Sequence, residues 1–162
     1  TDYVMSTGIK NVTLTGGEPL LQKHISDLIT ALDAHGLYIE IETNGSVPLK
    51  QFTPFPAHTS ITMDYKLPGS GMENFMCLEN FSCLTETDTV KFVVGDLVDL
   101  ERAAEMIRAY DLTERCCVYF SPVFGRIHPD TIVSFMKKHT LNRVRLQLQL
   151  HKYIWNPERR GV

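Results

Sequence analysis

No run in the 162-residue sequence is apolar for long enough to cross a bilayer, and the chain does not open on a secretory-signal pattern. Neither charge is in large excess. Lys and Arg number 16 against 19 Asp and Glu, and a net charge of −3 gives no electrostatic reason for nucleic-acid or membrane binding. Cysteine is scarce: Cys77, Cys83, Cys116 and Cys117 have the spacing of neither a zinc ribbon nor a disulfide framework, so all four read as buried free thiols. Internal repeats and low-complexity segments are absent as well. What remains is the profile of one globular domain over residues 1–162, large enough to bury a core, with the cytoplasm as its default location.

Against that background, residues 12–19 read Val-Thr-Leu-Thr-Gly-Gly-Glu-Pro. Val12, Thr13 and Leu14 suit a strand that pairs and packs. Gly16 and Gly17 permit backbone angles and a ligand approach that a Cβ would forbid. Pro19 has no N–H to lose and suits the first residues of a helix. The pattern predicts a ligand-facing corner at the C-terminal end of a strand with the Glu18 carboxylate held in it, and a cationic amine is the natural partner of that group. An ordinary strand-to-helix turn with an exposed Glu is the plainer reading of the same letters.

Strand and helix signals alternate along the chain. Strands are predicted at 11–15, 37–43, 60–66, 89–94, 116–120 and 143–150, and helices at 20–35, 73–84, 99–110 and 128–139. Alternation of this kind implies βαβ units around a mainly parallel sheet. A parallel strand buried on both faces is apolar throughout. Three strands here instead carry one polar face: Tyr38, Glu40, Glu42 and Asn44; Ser60, Thr62, Asp64 and Lys66; and Arg143, Arg145, Gln147, Gln149 and His151. Helices on the apolar faces leave the polar ones either solvated on an open sheet or lining the interior of a curved, barrel-like one. Carboxylates at strand ends beside the glycine corner favour the barrel, because ligands sit at the carboxyl ends of strands in such folds and a polar lumen wants water or a polar ligand. The expected fold class is α/β, a mainly parallel curved sheet with helices outside.

Five segments then carry a family resemblance: Thr15-Gly16-Gly17-Glu18-Pro19, Glu42-Thr43-Asn44-Gly45, Met63-Asp64-Tyr65-Lys66-Leu67-Pro68, Ser121-Pro122-Val123-Phe124 and Gln149-Leu150-His151-Lys152-Tyr153-Ile154-Trp155. The first resembles the segment of radical S-adenosylmethionine (SAM) enzymes that binds the methionine amino group. Together they resemble the 7-carboxy-7-deazaguanine synthases, radical SAM enzymes of queuosine and 7-deazapurine biosynthesis. The resemblance covers essentially the whole chain, and its last segment is the most family-specific. It implies a partial or modified radical SAM (β/α) barrel. The reaction it implies converts 6-carboxy-5,6,7,8-tetrahydropterin to 7-carboxy-7-deazaguanine with loss of ammonia, through a 5′-deoxyadenosyl radical. The cofactors it implies are a 4Fe-4S cluster, SAM and magnesium. The implied partners are the pterin substrate, an electron donor such as flavodoxin or ferredoxin, and a second copy in a homodimer.

By the same resemblance, Gly16, Gly17 and Glu18 receive the SAM ammonium. Asp64, Tyr65 and Lys66 form a second SAM segment, with Asp64-Tyr65 where many members have Ser-Pro. Ser121, Pro122, Val123 and Phe124 form a third, flanking the adenine. Thr15 contacts substrate beside the corner, and Glu42 takes the guanidine-like edge of the pterin, a role suited to a carboxylate that accepts paired N–H donors. Gln149, His151 and the terminal carboxylate of Val162 complete the substrate contacts. From its spacing alone, His151 reads as a hydrogen-bonded structural histidine.

The family's cluster is held by three cysteines spaced near Cys-x3-Cys-x2-Cys, since Fe–S clusters take thiolate ligands, and this sequence has no such spacing. Residues 1–7 read as the tail of a helix closed by Gly8, without a beginning. The expectation is therefore an N-terminally truncated domain lacking its first strand and cluster loop. The cluster cysteines, the magnesium ligand and an Arg for the substrate carboxylate would lie upstream of Thr1, and these 162 residues alone would be inactive. Two other readings stay open. One is a non-catalytic SAM- or pterin-binding protein or split subunit. The other is a different radical SAM enzyme such as a glycyl-radical activase, against which the Gln-x-His-Lys-Tyr-Ile-Trp ending argues.

Overall fold

The computed structural model describes residues 2–159. Six strands form one sheet in chain order: β1 (Asn11–Leu14), β2 (Tyr38–Thr43), β3 (Thr59–Tyr65), β4 (Thr89–Val94), β5 (Cys117–Pro122) and β6 (Val144–Leu146). Every neighbouring pair is parallel. A doubly wound sheet reverses its strand order partway across, whereas a (β/α) barrel does not, so strictly sequential parallel order is that of a barrel segment. The helices are α1 (Asp2–Ser6), α2 (Ile25–Ala34), α3 (Leu97–Ala109), α4 (Leu112–Arg115), α5 (Pro129–Lys138) and α6 (His151–Ile154). The expected α/β class and parallel sheet are both found.

The register sorts the side chains by the two-residue period of a strand. Ile39, Ile41, Ile61, Met63, Val90, Phe92, Val118 and Phe120 share the buried face. Against it pack Ile29 and Leu32 of α2, Leu100, Ala103, Ala104 and Ile107 of α3, and Ile132 of α5. The opposite face carries Thr13, Glu40, Glu42, Thr62, Asp64, Lys91, Tyr119 and Arg145. α3 starts where Asp96 accepts the Asp99 N–H at 3.0 Å, a side-chain cap for a helix terminus whose first N–H groups lack intrahelical partners. α5 starts on Pro129, which has no N–H to strand.

Four features depart from the sequence-based expectation. The helix predicted at 20–35 is two pieces, a 3-10 turn at Pro19–Leu21 and α2, because His24 adopts a left-handed conformation with φ 65° between them. The helix predicted at 73–84 is a pair of 3-10 turns, Glu73–Phe75 and Leu78–Cys83. There the Cys77 N–H donates to the Gly45 carbonyl at 3.0 Å, so it is withdrawn from any helical ladder. The last strand ends at Leu146, not at 150. Gln147 N still donates to Phe120 O at 2.8 Å, but Pro122 next along β5 has no N–H with which to continue the ladder. Finally, only Cys116 is a buried thiol; Cys77, Cys83 and Cys117 are partly exposed. Burial, with Asp88 nearby, pushes the Cys116 thiol up to about 11, as desolvation disfavours a thiolate. Cys116 and Cys117 face opposite ways, since Cys117 meets Arg145 of the polar face at 3.7 Å.

Tyr65 gives the fold a measurable alkaline limit. Its ring lies between Phe81 and Phe92, with centroids 5.6 and 5.4 Å away, and its hydroxyl donates to Glu73 Oε1 at 3.0 Å. Burial first, and the Glu73 carboxylate second, push the phenol up to about 12 from 10.0. Above pH 10 the unfolded chain loses a proton that the folded chain keeps, so this contribution is complete below pH 10 and is lost as pH rises towards 12. Urea melts across that window are expected to show falling stability, with a flatter slope in Tyr65→Phe. Equal slopes in the two proteins would show that Tyr65 is not responsible.

Candidate functional site at the carboxyl ends of the strands

β1 ends at Leu14, and the chain turns through Gly16 at φ 109°, a conformation that L side chains rarely adopt. Among the described residues nothing lies within 4 Å of where a Cβ would stand on Gly16 or Gly17. Both open onto a groove of about 630 Å³ lined also by Thr13, Thr15, Glu18 and His24. Glu18 itself is only 7% exposed. Its Oε1 accepts Thr43 Oγ1 at 2.8 Å and Leu20 N at 3.2 Å, and its Oε2 accepts Asn44 N at 2.7 Å. The exposed-Glu reading of this corner is thereby excluded. The carboxylate caps the following turn and fastens the corner to the end of β2. A carboxylate offers about four acceptor positions, so three filled ones leave room for roughly one further donor.

Thr15 and Glu42, both expected at the substrate, meet: Thr15 Oγ1 donates to Glu42 Oε2 at 3.1 Å. One layer below, Glu40 accepts Thr13 Oγ1 at 3.2 Å and Thr62 Oγ1 at 2.8 Å. Hydroxyls of Thr13 in β1, Thr15 just after it and Thr62 in β3 thus hold two carboxylates of β2 on the polar face.

A second opening, about 280 Å³, lies at the ends of β3, β4 and β5 and is lined by Asp64, Lys66, Gly69, Val93, Val123 and Arg126, among others. Lys66 Nζ donates to Asp64 Oδ2 at 2.6 Å. Asp64 Oδ1 and Ser121 Oγ are buried without a partner among the described residues. Asp99 builds the rim: its carboxylate accepts Gly69 N and Gly95 N, each at 2.8 Å, and so ties the loops after β3 and β4 together. Gly69 is required there, since a Cβ on it would stand 2.6 Å from Asp99 Oδ2.

The remaining expected residues are placed less favourably. The Tyr65 side chain is not offered to the lumen; the two-residue period turns it into the core, opposite Asp64 and Lys66. Pro122 is buried, and Phe124 is exposed, with its ring edge-to-face against Tyr153 of the tail, centroids 5.6 Å apart. Gln149 and His151 do not extend a lumen face. Gln149 follows the end of β6, and His151 opens α6 after Leu150 takes a helical conformation. Val162 lies outside the described residues. Lys91, Tyr119 and Arg145 also share the polar face, and no motif in the sequence gives them a role. The signal was present in the alternation Thr89-Val90-Lys91-Phe92 and Cys117-Val118-Tyr119-Phe120.

The donor sets suit one implied cofactor and not another. An open glycine corner, a nearly filled buried carboxylate and two unpartnered buried oxygens, Asp64 Oδ1 and Ser121 Oγ, fit a ligand as rich in polar groups as SAM. A 4Fe-4S cluster does not fit. Among the described residues no group of three or more His, Cys, Asp or Glu is arranged to hold a metal, and the Cys116 thiol is far from thiolate.

No family model matches the chain. It is 55% identical over 161 residues to the 7-carboxy-7-deazaguanine synthase of Clostridium acetobutylicum, covering 99% of this chain and 73% of that protein. It is 39% identical over 155 residues to the 7-carboxy-7-deazaguanine synthase of Chlorobaculum tepidum, covering 93% of this chain and 68% of that one. In structure it is similar to QueE from Escherichia coli, with a TM-score of 0.62 at 21% identity, over 91% of this chain and 60% of that one.

Proposed function

Because the chain belongs to the 7-carboxy-7-deazaguanine synthase family of radical SAM lyases, we propose that its sheet end supplies the SAM and pterin contacts of that reaction. The substrate is 6-carboxy-5,6,7,8-tetrahydropterin and the product 7-carboxy-7-deazaguanine, with ammonia released. The observation that carries this reading is the junction of the glycine corner with the end of β2, where Glu18 is gripped by Thr43 and Asn44 while Thr15 orients Glu42. Gly16 and Gly17 admit the methionine end of SAM to the backbone, and the remaining acceptor position of Glu18 takes its ammonium. Lys66 and the unpartnered Asp64 and Ser121 oxygens bind further along the rim. Glu42, one oxygen held by Thr15, presents the other to the paired N–H donors of the pterin. When bound and reductively cleaved, SAM supplies the radical that starts the rearrangement; the protein's part is to position the reactants and exclude competing reactions.

We place the protein in the cytoplasm, as a homodimer served by a flavodoxin- or ferredoxin-type donor. No helix among the described residues is long and apolar enough to cross a membrane. The lack of cluster cysteine spacing favours one second reading, a SAM- or pterin-binding subunit without its own chemistry. Incubating the protein made from its native gene with carboxytetrahydropterin, SAM and a reductant, without oxygen, separates the two. Formation of 7-carboxy-7-deazaguanine is expected. Binding of SAM and pterin without product would select the subunit, and neither binding nor product would overturn both.

A further inference from the structure

Charge on the polar face is divided between its two sides. β2 contributes Glu40 and Glu42 and no cation, whereas β4 and β6 contribute Lys91 and Arg145 and no carboxylate. Most of these groups are engaged. Glu40 and Glu42 hold threonine hydroxyls, Lys66 is bonded to Asp64, and Arg145 Nη1 donates to Tyr119 Oη at 3.0 Å, its guanidinium 5.7 Å from the Tyr119 ring centre. Lys91 differs. In register it stands between Asp64, whose Oδ2 is bonded to Lys66, and Tyr119, whose hydroxyl is bonded to Arg145, and among the described residues its ammonium has neither a hydrogen bond nor an ion pair. It is partly buried, and a partly desolvated charge without a counter-ion is costly unless a ligand supplies one.

The spacing says which ligand group that is. Glu42 and Lys91 lie on strands two apart, roughly 10 Å across the sheet, with β3 between them. A bicyclic pterin has an amidine-like donor edge at one end and, in this substrate, a carboxylate on the far ring. Laid across β3, it meets an acid at its donor edge and a cation at its anionic edge. We propose that Lys91 reads the substrate's carboxylate and so distinguishes carboxylated pterins from uncarboxylated ones. This rests on the synthase reading above. It is independent of the upstream Arg that the family resemblance implies, because a carboxylate has acceptor positions for two cations.

The test uses two stable fluorescent probes, 6-carboxypterin and unsubstituted pterin, titrated into the protein. The wild type is expected to bind 6-carboxypterin at least about tenfold more tightly, the size of one charge-assisted contact. Lys91→Met is expected to cut that ratio several-fold while leaving the affinity for pterin unchanged. Lys91→Arg keeps the cation and is expected to keep the preference. Glu42→Gln removes the contact common to both probes and is expected to weaken both alike. A preference left undiminished by Lys91→Met, or a loss shared by both probes, would overturn the role of Lys91 and leave the synthase reading standing. A wild type that binds both probes equally would do the same. A wild type that binds neither would overturn both.

Discussion

Glu18→Ala is expected to destabilise the chain by about 3 kcal/mol and to remove measurable SAM binding, because one carboxylate serves three buried or half-buried donors. Thr43 Oγ1, Leu20 N and Asn44 N all lose their acceptor at once. Thr43 is 2% exposed and Glu18 7%, so water has poor access to replace it. The damage also spreads in sequence, since Thr43 Oγ1 in turn accepts Gly45 N at 3.2 Å and orders the turn after β2. Chemical denaturation and calorimetry with SAM measure the two effects separately. Glu18→Gln divides them further, because it keeps the shape and one acceptor oxygen but loses the charge. It is expected to lower SAM affinity by roughly 1–3 kcal/mol with a smaller loss of stability. If the Gln variant bound SAM as well as the wild type, Glu18 would be a fastener of the corner and not a ligand for the cofactor.

Asn80→Ala is expected to cost about 3 kcal/mol as well, through backbone groups rather than a ligand. Asn80 has no solvent exposure, and its amide stands in for a neighbouring strand. Oδ1 accepts Leu49 N at 2.8 Å, while Nδ2 donates to Val47 O at 2.9 Å and Gly45 O at 3.2 Å. The segment it satisfies leads directly away from the Thr43-Asn44 grip on Glu18, so a looser loop is also expected to weaken SAM binding. Asn80→Asp is the informative companion. It retains the acceptor for Leu49 but turns an anionic oxygen towards two carbonyls, and is expected to be at least as destabilising as alanine. Urea midpoints decide the matter; a loss under about 0.5 kcal/mol for Asn80→Ala would mean the loop finds other partners.

The glycine corner and the alternation of β2 and β3 were legible in the sequence because they are local. Gly16-Gly17 before Glu18-Pro19 prescribes a turn whatever surrounds it, and the period of two assigns Glu40 and Glu42 to one face before any partner strand is known. The same rule misled at the C-terminal end. Residues 143–150 alternate as well as β2 does, but a strand exists only while its neighbour can pair, and Pro122 on β5 ends that pairing. Gln149 and His151 accordingly fall in a turn and a short helix. In the same way, Tyr65 belonged to a recognisable motif, but the period of its strand sent its ring into the core.

By itself, then, the sequence determined the α/β class, the two-faced strands, the corner at Gly16 and Gly17, and the family, since each is carried by neighbours in the chain or by short motifs. The tertiary structure alone decided which polar groups are spent on one another and which are left for a ligand. Glu18 is largely consumed by Thr43, Asn44 and Leu20, while Lys91, unremarked in the sequence, has no hydrogen-bond or ion-pair partner among the described residues. Hydrogen-bond and charge satisfaction depends on atoms brought together from distant parts of the chain, here from residues 25 or more positions apart for Glu18 with Thr43 and Asn44, and no local pattern encodes it.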